Sequence, residues 1–227
     1  MGFFGSAKSH GLRRGAIGLS IATTCLIIFS LAFPWFYDSQ KTTNGNNETC
    51  TTLYLTGWFQ IYCYNHGSCT NSLTGKDTCD GYPVKWNPTA CDNYKNSFLS
   101  NGDDDYYYCQ VQKFYNVGFA LMLIALLTSI LVAVISFISG VHSSMIRAAA
   151  SMFTTVFIII AVIAWSVGVS KNIQKYDIYS GVFHCDDNCD NFWYTSNDKY
   201  THGPAGWYIA IIAAALGGVA QLMFQFA

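Results

Sequence analysis

Charge is what this sequence has least of. Asp, Glu, Lys and Arg together make up 11% of its 227 residues, against 52% hydrophobic and 16% aromatic residues. A chain so poor in charge and so rich in aromatics is not an ordinary soluble domain of this length. The scarcity is also local: Gly15–Tyr37, Phe114–Gly140, Ala148–Val169 and Trp207–Phe226 contain no acid and no Lys or Arg. At about 1.5 Å of rise per residue, each stretch can cross a hydrocarbon core about 30 Å thick as a helix. Helices buried in a soluble core would carry amphipathic stripes and a charged face, and none of the four has them.

Acid is missing from one whole side of the expected membrane. Lys8, Arg13 and Arg14 precede the first span and Arg147 lies in the short link between the second and third, with no Asp or Glu among them. All 13 acids fall between Asp38 and Asp105 or between Asp177 and Asp198. The positive-inside rule then puts both termini in the cytoplasm and both longer loops outside. The expected order is a cytoplasmic N-terminus (1–14), span one (15–37), outer loop one (38–113), span two (114–140), a cytoplasmic link (141–147), span three (148–169), outer loop two (170–206) and span four (207–227). The first span reads as an uncleaved signal-anchor, being basic-flanked, long and without an A-x-A exit. Met1-Gly2-Phe3-Phe4-Gly5-Ser6 matches the loose myristoylation pattern, but the bulky Phe3 argues for coincidence.

Catalytic signatures are missing too. No G-x-S-x-G, H-E-x-x-H or phosphate-cradling glycine loop occurs, so no enzyme, cofactor or catalytic residue is expected. With no acid, base or histidine at mid-depth in any span, the groups that pumps and many transporters use are absent from the bundle of a single copy. A net charge of −1 gives no reason to expect a nucleic-acid partner.

What the outer loops do have is cysteine. Of nine cysteines only Cys25 lies in a span; Cys50, Cys63, Cys69, Cys79, Cys91 and Cys109 lie in the first outer loop, Cys185 and Cys189 in the second. Eight outward cysteines suggest four disulfides formed in an oxidising compartment, hence a plasma membrane or an endomembrane of the secretory or endocytic system. Six cysteines in one loop allow 15 pairings; short separation favours Cys63 with Cys69 and Cys185 with Cys189. The sequon Asn47-Glu48-Thr49 is the expected glycosylation site, whereas Asn87-Pro88-Thr89 is blocked by its proline. Cys63, His66 and Cys69 could instead hold zinc, but outward cysteines are far more often bridged than metal-bound. Asp186, Asn188 and Asp190 begin a calcium-loop spacing that Asn191 and Asn197 then break. Asp103-Asp104-Asp105 reads as a solvated turn that draws cations weakly.

Thr51–Tyr64 is rich in strand-forming residues, with Phe59, Ile61 and Cys63 alternating with Gln60, Tyr62 and Tyr64. Tyr106–Val111 is a second strand candidate and Ile173–Phe183 a third. The fold class expected is therefore a membrane protein: a four-transmembrane-helix bundle with a disulfide-rich, mainly antiparallel β extracellular domain.

Gly57-Trp58-Phe59-Gln60-Ile61-Tyr62-Cys63 followed by Cys69 resembles the G-L-W-x-x-C…C signature of the claudin, peripheral myelin protein and calcium-channel gamma-subunit superfamily. Trp35, behind Pro34 at the outer end of span one, stands where that family keeps a tryptophan, and the loop sizes follow the same order. This sequence differs by an extra residue before the first cysteine and by four more cysteines in loop one. The resemblance implies a claudin-like fold and a contact or channel-associated role, with related four-span proteins as partners. With the sequence ending at Ala227, coupling to a scaffold through a C-terminal tail is not expected.

Ala210, Ala214 and Gly218 form a small-residue ridge on span four, beside Ala213 and Gly217, suited to close helix packing in lipid. Gln221 and Gln225 are expected to hydrogen-bond to neighbouring helices. Trp35 and Trp207 read as interfacial belt residues. Trp58 is expected to be buried where the sheet meets the bilayer surface. Tyr54, Tyr64, Trp86, Phe98, Tyr106, Tyr107, Tyr108, Phe192, Trp193 and Tyr194 exceed the aromatic needs of a small sheet, and aromatics concentrate at interfaces. Contact between copies or with related four-span proteins, centred on Trp193 with Phe192, Tyr194, Tyr106 and Tyr107, is the function expected. The alternative is a pore or an auxiliary subunit of a cation channel, favoured by the acidic outer face.

Overall fold

The structure is a computed structural model that describes residues 3–43, 49–67, 69, 79–80, 83–85, 104–138, 144–173, 194–196, 200–203 and 205–226. Among the described residues four helices, α1 (Phe3–Ala32), α2 (Asp104–Ile138), α3 (Ser144–Ile173) and α4 (Ala205–Phe226), accompany six strands: β1 (Phe36–Thr43), β2 (Thr49–Thr56), β3 (Gln60–His66), β4 (Val84–Lys85), β5 (Tyr194–Ser196) and β6 (Tyr200–Gly203). All four helices contain a segment long and apolar enough to cross a membrane: His10–Ala32, Val111–Phe137, Met145–Gly168 and Ala205–Phe226.

The boundaries correct the expectation at three places. α1 stops at Ala32 rather than Tyr37, because the residue before a proline is pushed out of the helical region and Pro34 has no N–H to donate. Tyr106–Val111 is helix rather than strand. Asp104 and Asp105 open α2, where carboxylates favour the positive end of the helix dipole, and the helix continues through the tyrosines. α3 begins at Ser144, so Arg147 belongs to a helix and not to a link. Ile173, first residue of the third strand candidate, ends α3; the rest of that candidate lies outside the described residues.

The chain divides into a helical unit, residues 1–32, 117–164 and 206–227, and a sheet unit, residues 33–116 and 165–205. The helical unit is packed on small and hydroxylated side chains. Along α4 the buried positions are Gly206, Ala210, Ala213, Gly217, Ala220 and Phe224, alternating four and three apart as a helix–helix seam requires. Ala210 is on that seam as expected. Ala214 and Gly218 are only half-buried, and a Cβ on Gly218 would meet nothing within 4 Å. The seam turns instead on Gly217, where a Cβ would sit 2.7 Å from Thr155 Oγ1. Hydroxyls complete the packing. Thr24 and Ser129 share a hydrogen bond of 2.5 Å, Ser151 donates to the Gly217 carbonyl at 3.2 Å, and Ser30 donates to the Gly206 carbonyl at 3.0 Å. Ser20, Thr23, Ser129, Val132, Ser151, Thr154 and Gly217 enclose a cavity of about 10 Å³, room for the centre of a single water.

In the sheet unit the strand order is β4-β3-β2-β1-β6-β5, and every described pairing is antiparallel. β1 and β2 pair along their full length, from Phe36↔Thr56 to Thr43↔Thr49, and β2 pairs with β3 from Thr51↔His66 to Thr56↔Ile61. The run expected as one two-sided strand is thus a hairpin, turned at Gly57-Trp58-Phe59 and closed by a 2.9 Å bond from the Gly57 N–H to the Gln60 carbonyl. Because side chains alternate across a strand, Phe36, Cys50, Thr52, Tyr54, Thr56 and Ile61 fall on one, buried face. Tyr37, Leu53, Leu55, Tyr62 and Tyr64 fall on the other.

Candidate functional site

Two of the residues that carried the family resemblance, Trp35 and Trp58, come together. Trp35 follows Pro34 and donates its backbone N–H to the Thr56 carbonyl at 3.0 Å, which ties it to the end of β2 within the sheet unit. Trp58, one residue beyond Gly57 in the turn that follows β2, packs against Trp35 with ring centroids 4.3 Å apart and ring planes tilted by 54°. Two residues complete a closed ring of four: Trp165 lies 5.3 Å from Trp35, and Tyr115 lies 5.9 Å from Trp58 and 5.8 Å from Trp165. The last three contacts are edge-on, the arrangement aromatic quadrupoles favour. All four rings are buried. Trp58 is therefore enclosed as expected, whereas Trp35 is fully enclosed and not a belt residue. Trp207 is half-buried and donates its indole N–H to the Val162 carbonyl at 3.3 Å.

Trp165 and Tyr115 escaped the sequence reading. Their one sequence signal is position: each is a large aromatic near the end of an apolar run that precedes or follows an outer loop. Gly168 adds a packing constraint there, since a Cβ on it would fall 2.0 Å from the ring of Phe114.

Two disulfides tie the hairpin. Cys50 is bridged to Cys69 with Cα atoms 5.1 Å apart, and Cys63 to Cys79 at 5.3 Å. The expected Cys63–Cys69 bridge is therefore wrong. Cys63 lies within β3, and the strand runs on for three residues at about 3.3 Å each before it turns, carrying Cys69 beyond the reach of a bridge. The turn at Gly67, with φ of 98°, delivers Cys69 to the start of β2 instead. With both sulfurs bridged, the zinc reading of Cys63, His66 and Cys69 also falls. Among the described residues no group of three or more His, Cys, Asp or Glu side chains could hold a metal ion. Cys25 is a free, exposed cysteine.

Asn47, Cys91, Cys185, Cys189, Phe192, Trp193, Asp103 and the Asp186–Asp190 stretch lie outside the described residues, as do Trp86 and Phe98. Tyr106, Tyr107 and Cys109 are in the first turns of α2, and Tyr194 opens β5, paired with His202. Of the outer aromatics expected at an interface, Tyr54 is core, while Tyr64 is 55% exposed. Phe59, which was not expected there, is 61% exposed. Its signal was its neighbour: in a three-residue turn with Trp58 committed to the interior, the adjacent aromatic has no room inside.

No protein-family model matches the chain, and no curated protein sequence matches it.

Proposed function

We propose that this is a non-enzymatic, claudin-like integral membrane protein, with both termini cytoplasmic, that makes contacts through its disulfide-tied outer domain. The contacts join copies of the chain or related four-span proteins. The observation that carries this reading is the second face of the sheet. Tyr37, Leu55 and Tyr62 stand in one row across three strands, and Leu53 and Tyr64 stand in the next. A rigid, apolar and aromatic surface of this kind, backed by two bridges, has the composition of an interface core. Phe59 is exposed at the turn between β2 and β3.

The test is Phe59→Ala combined with Tyr64→Ala. Both side chains are more than half exposed, so thermal melting of the variant should match the wild type, as surface changes usually stay within about 0.5 kcal/mol. Higher assemblies in mild detergent, sized by mass, should be lost, because an interface anchor is worth about 2 kcal/mol or more. Undiminished assembly in the double variant removes this face as the contact surface, and Trp193→Ala then tests the second outer loop. The pore reading makes the opposite forecast: ion flux from reconstituted protein that changes when Asp103, Asp104 and Asp105 are neutralised.

A further inference from the structure

Arg147 is the least expected residue of the helical unit. It occupies the first turn of α3, is 1% exposed, and its Nε and Nη1 are enclosed without a hydrogen-bond partner. Its guanidinium lies over the ring of Phe224, 5.8 Å from the centroid. Its charged neighbour, Arg13 of α1, is within electrostatic reach and has the same sign. Among the described residues no side chain accepts from those two nitrogens. The segments 1–37, 106–176 and 199–227, which include the whole helical unit, contain no Asp or Glu. Two enclosed guanidinium nitrogens with a like charge nearby and no acceptor are costly to keep, and an anion from outside the chain would relieve them.

The same turn says what kind of anion. Met145 and Ile146, the two residues before Arg147, are 84% and 58% exposed and apolar, at the start of the apolar segment Met145–Gly168. A guanidinium presents a fork of donors that matches phosphate oxygens in pairs. We propose that Arg147 binds the phosphate of an anionic membrane lipid whose chains lie along Met145 and Ile146, in the leaflet read as cytoplasmic, with the charge of Arg13 adding attraction from nearby. Lys8 and Arg14 on α1 would add long-range attraction to that leaflet.

The experiment melts the full chain in neutral detergent with three probes at equal concentration: phosphatidylserine, phosphatidylcholine, each in mixed micelles, and inorganic phosphate. Phosphatidylserine should raise the melting temperature by about 5–10 °C at roughly 100 times its dissociation constant; the other two should not. Arg147→Met, whose unbranched side chain can still cover Phe224, should melt no lower than wild type in plain detergent and lose the phosphatidylserine shift. Arg147→Lys, which keeps the charge without the fork, should recover only part of it, and Arg13→Gln should weaken it. An equal shift with phosphatidylcholine, or a shift retained by Arg147→Met, overturns the site. An equal shift with inorganic phosphate overturns the lipid. If Arg147→Met does not fold, a full shift in Arg147→Lys overturns the role of the guanidinium.

Discussion

Trp35 and Trp207 look alike in the sequence, each a tryptophan at one end of an apolar run, and the fold gives them different work. Trp35 is enclosed by Trp58 and Trp165, whereas Trp207 is half-buried, donates to the Val162 carbonyl and meets Tyr208 edge-on. Trp35→Ala should therefore destabilise by about 3–5 kcal/mol, read as a large fall in melting temperature in detergent. Trp207→Ala should cost markedly less; equal losses would mean that the four-ring cluster does not hold the unit together. The difference was not legible beforehand, because a tryptophan's amphipathic ring suits a membrane interface and a core equally well. The deciding partner, Trp165, lies 130 positions along the chain from Trp35. Arg147 was misread for a related reason: its place in a polar link follows from counting apolar residues, and the helix simply begins earlier. Gly67 is a residue whose type the backbone dictates. Its φ of 98° and a Cβ position 2.5 Å from the Thr49 carbonyl oxygen leave room for glycine alone.

Among the elements, the helices were the most legible, since apolar length alone specifies them in lipid. The strands were half legible. Composition marked β2 and alternation marked β3, but the turn between them was hidden by two bulky aromatics, and the tyrosines of Tyr106–Tyr108 imitated a strand that the continuous backbone of α2 overrides. Pairing of the cysteines was illegible because it depends on strand register. Disulfide mapping should return Cys50–Cys69 and Cys63–Cys79. Cys63→Ser should free Cys79 to thiol labelling while Cys69 stays protected, and should cost about 3 kcal/mol for a loop of this size; labelling of Cys69 instead would reinstate the local pair. The described edge strands are short, β4 with two residues and β5 with three, which blunts edge-to-edge pairing and leaves the broad face of the sheet as the surface available for contact.

For the molecule as a whole, the charge pattern makes the strongest demand. Every acid lies in a segment assigned to the sheet unit, and the helical unit holds only basic charges. Tags placed before Met1 and after Ala227 should both be protected from protease in intact cells by the positive-inside rule; digestion of either would reverse the assignment of the outer domain. The two bridges have a bearing on that same assay. Cys50–Cys69 and Cys63–Cys79 overlap along the chain, like two links of a chain closed through one another's span. A protease that opens any single peptide bond between residues 50 and 79 therefore releases no fragment. The nicked outer domain stays in one covalent piece, migrates as though uncut, and betrays the cut only after reduction.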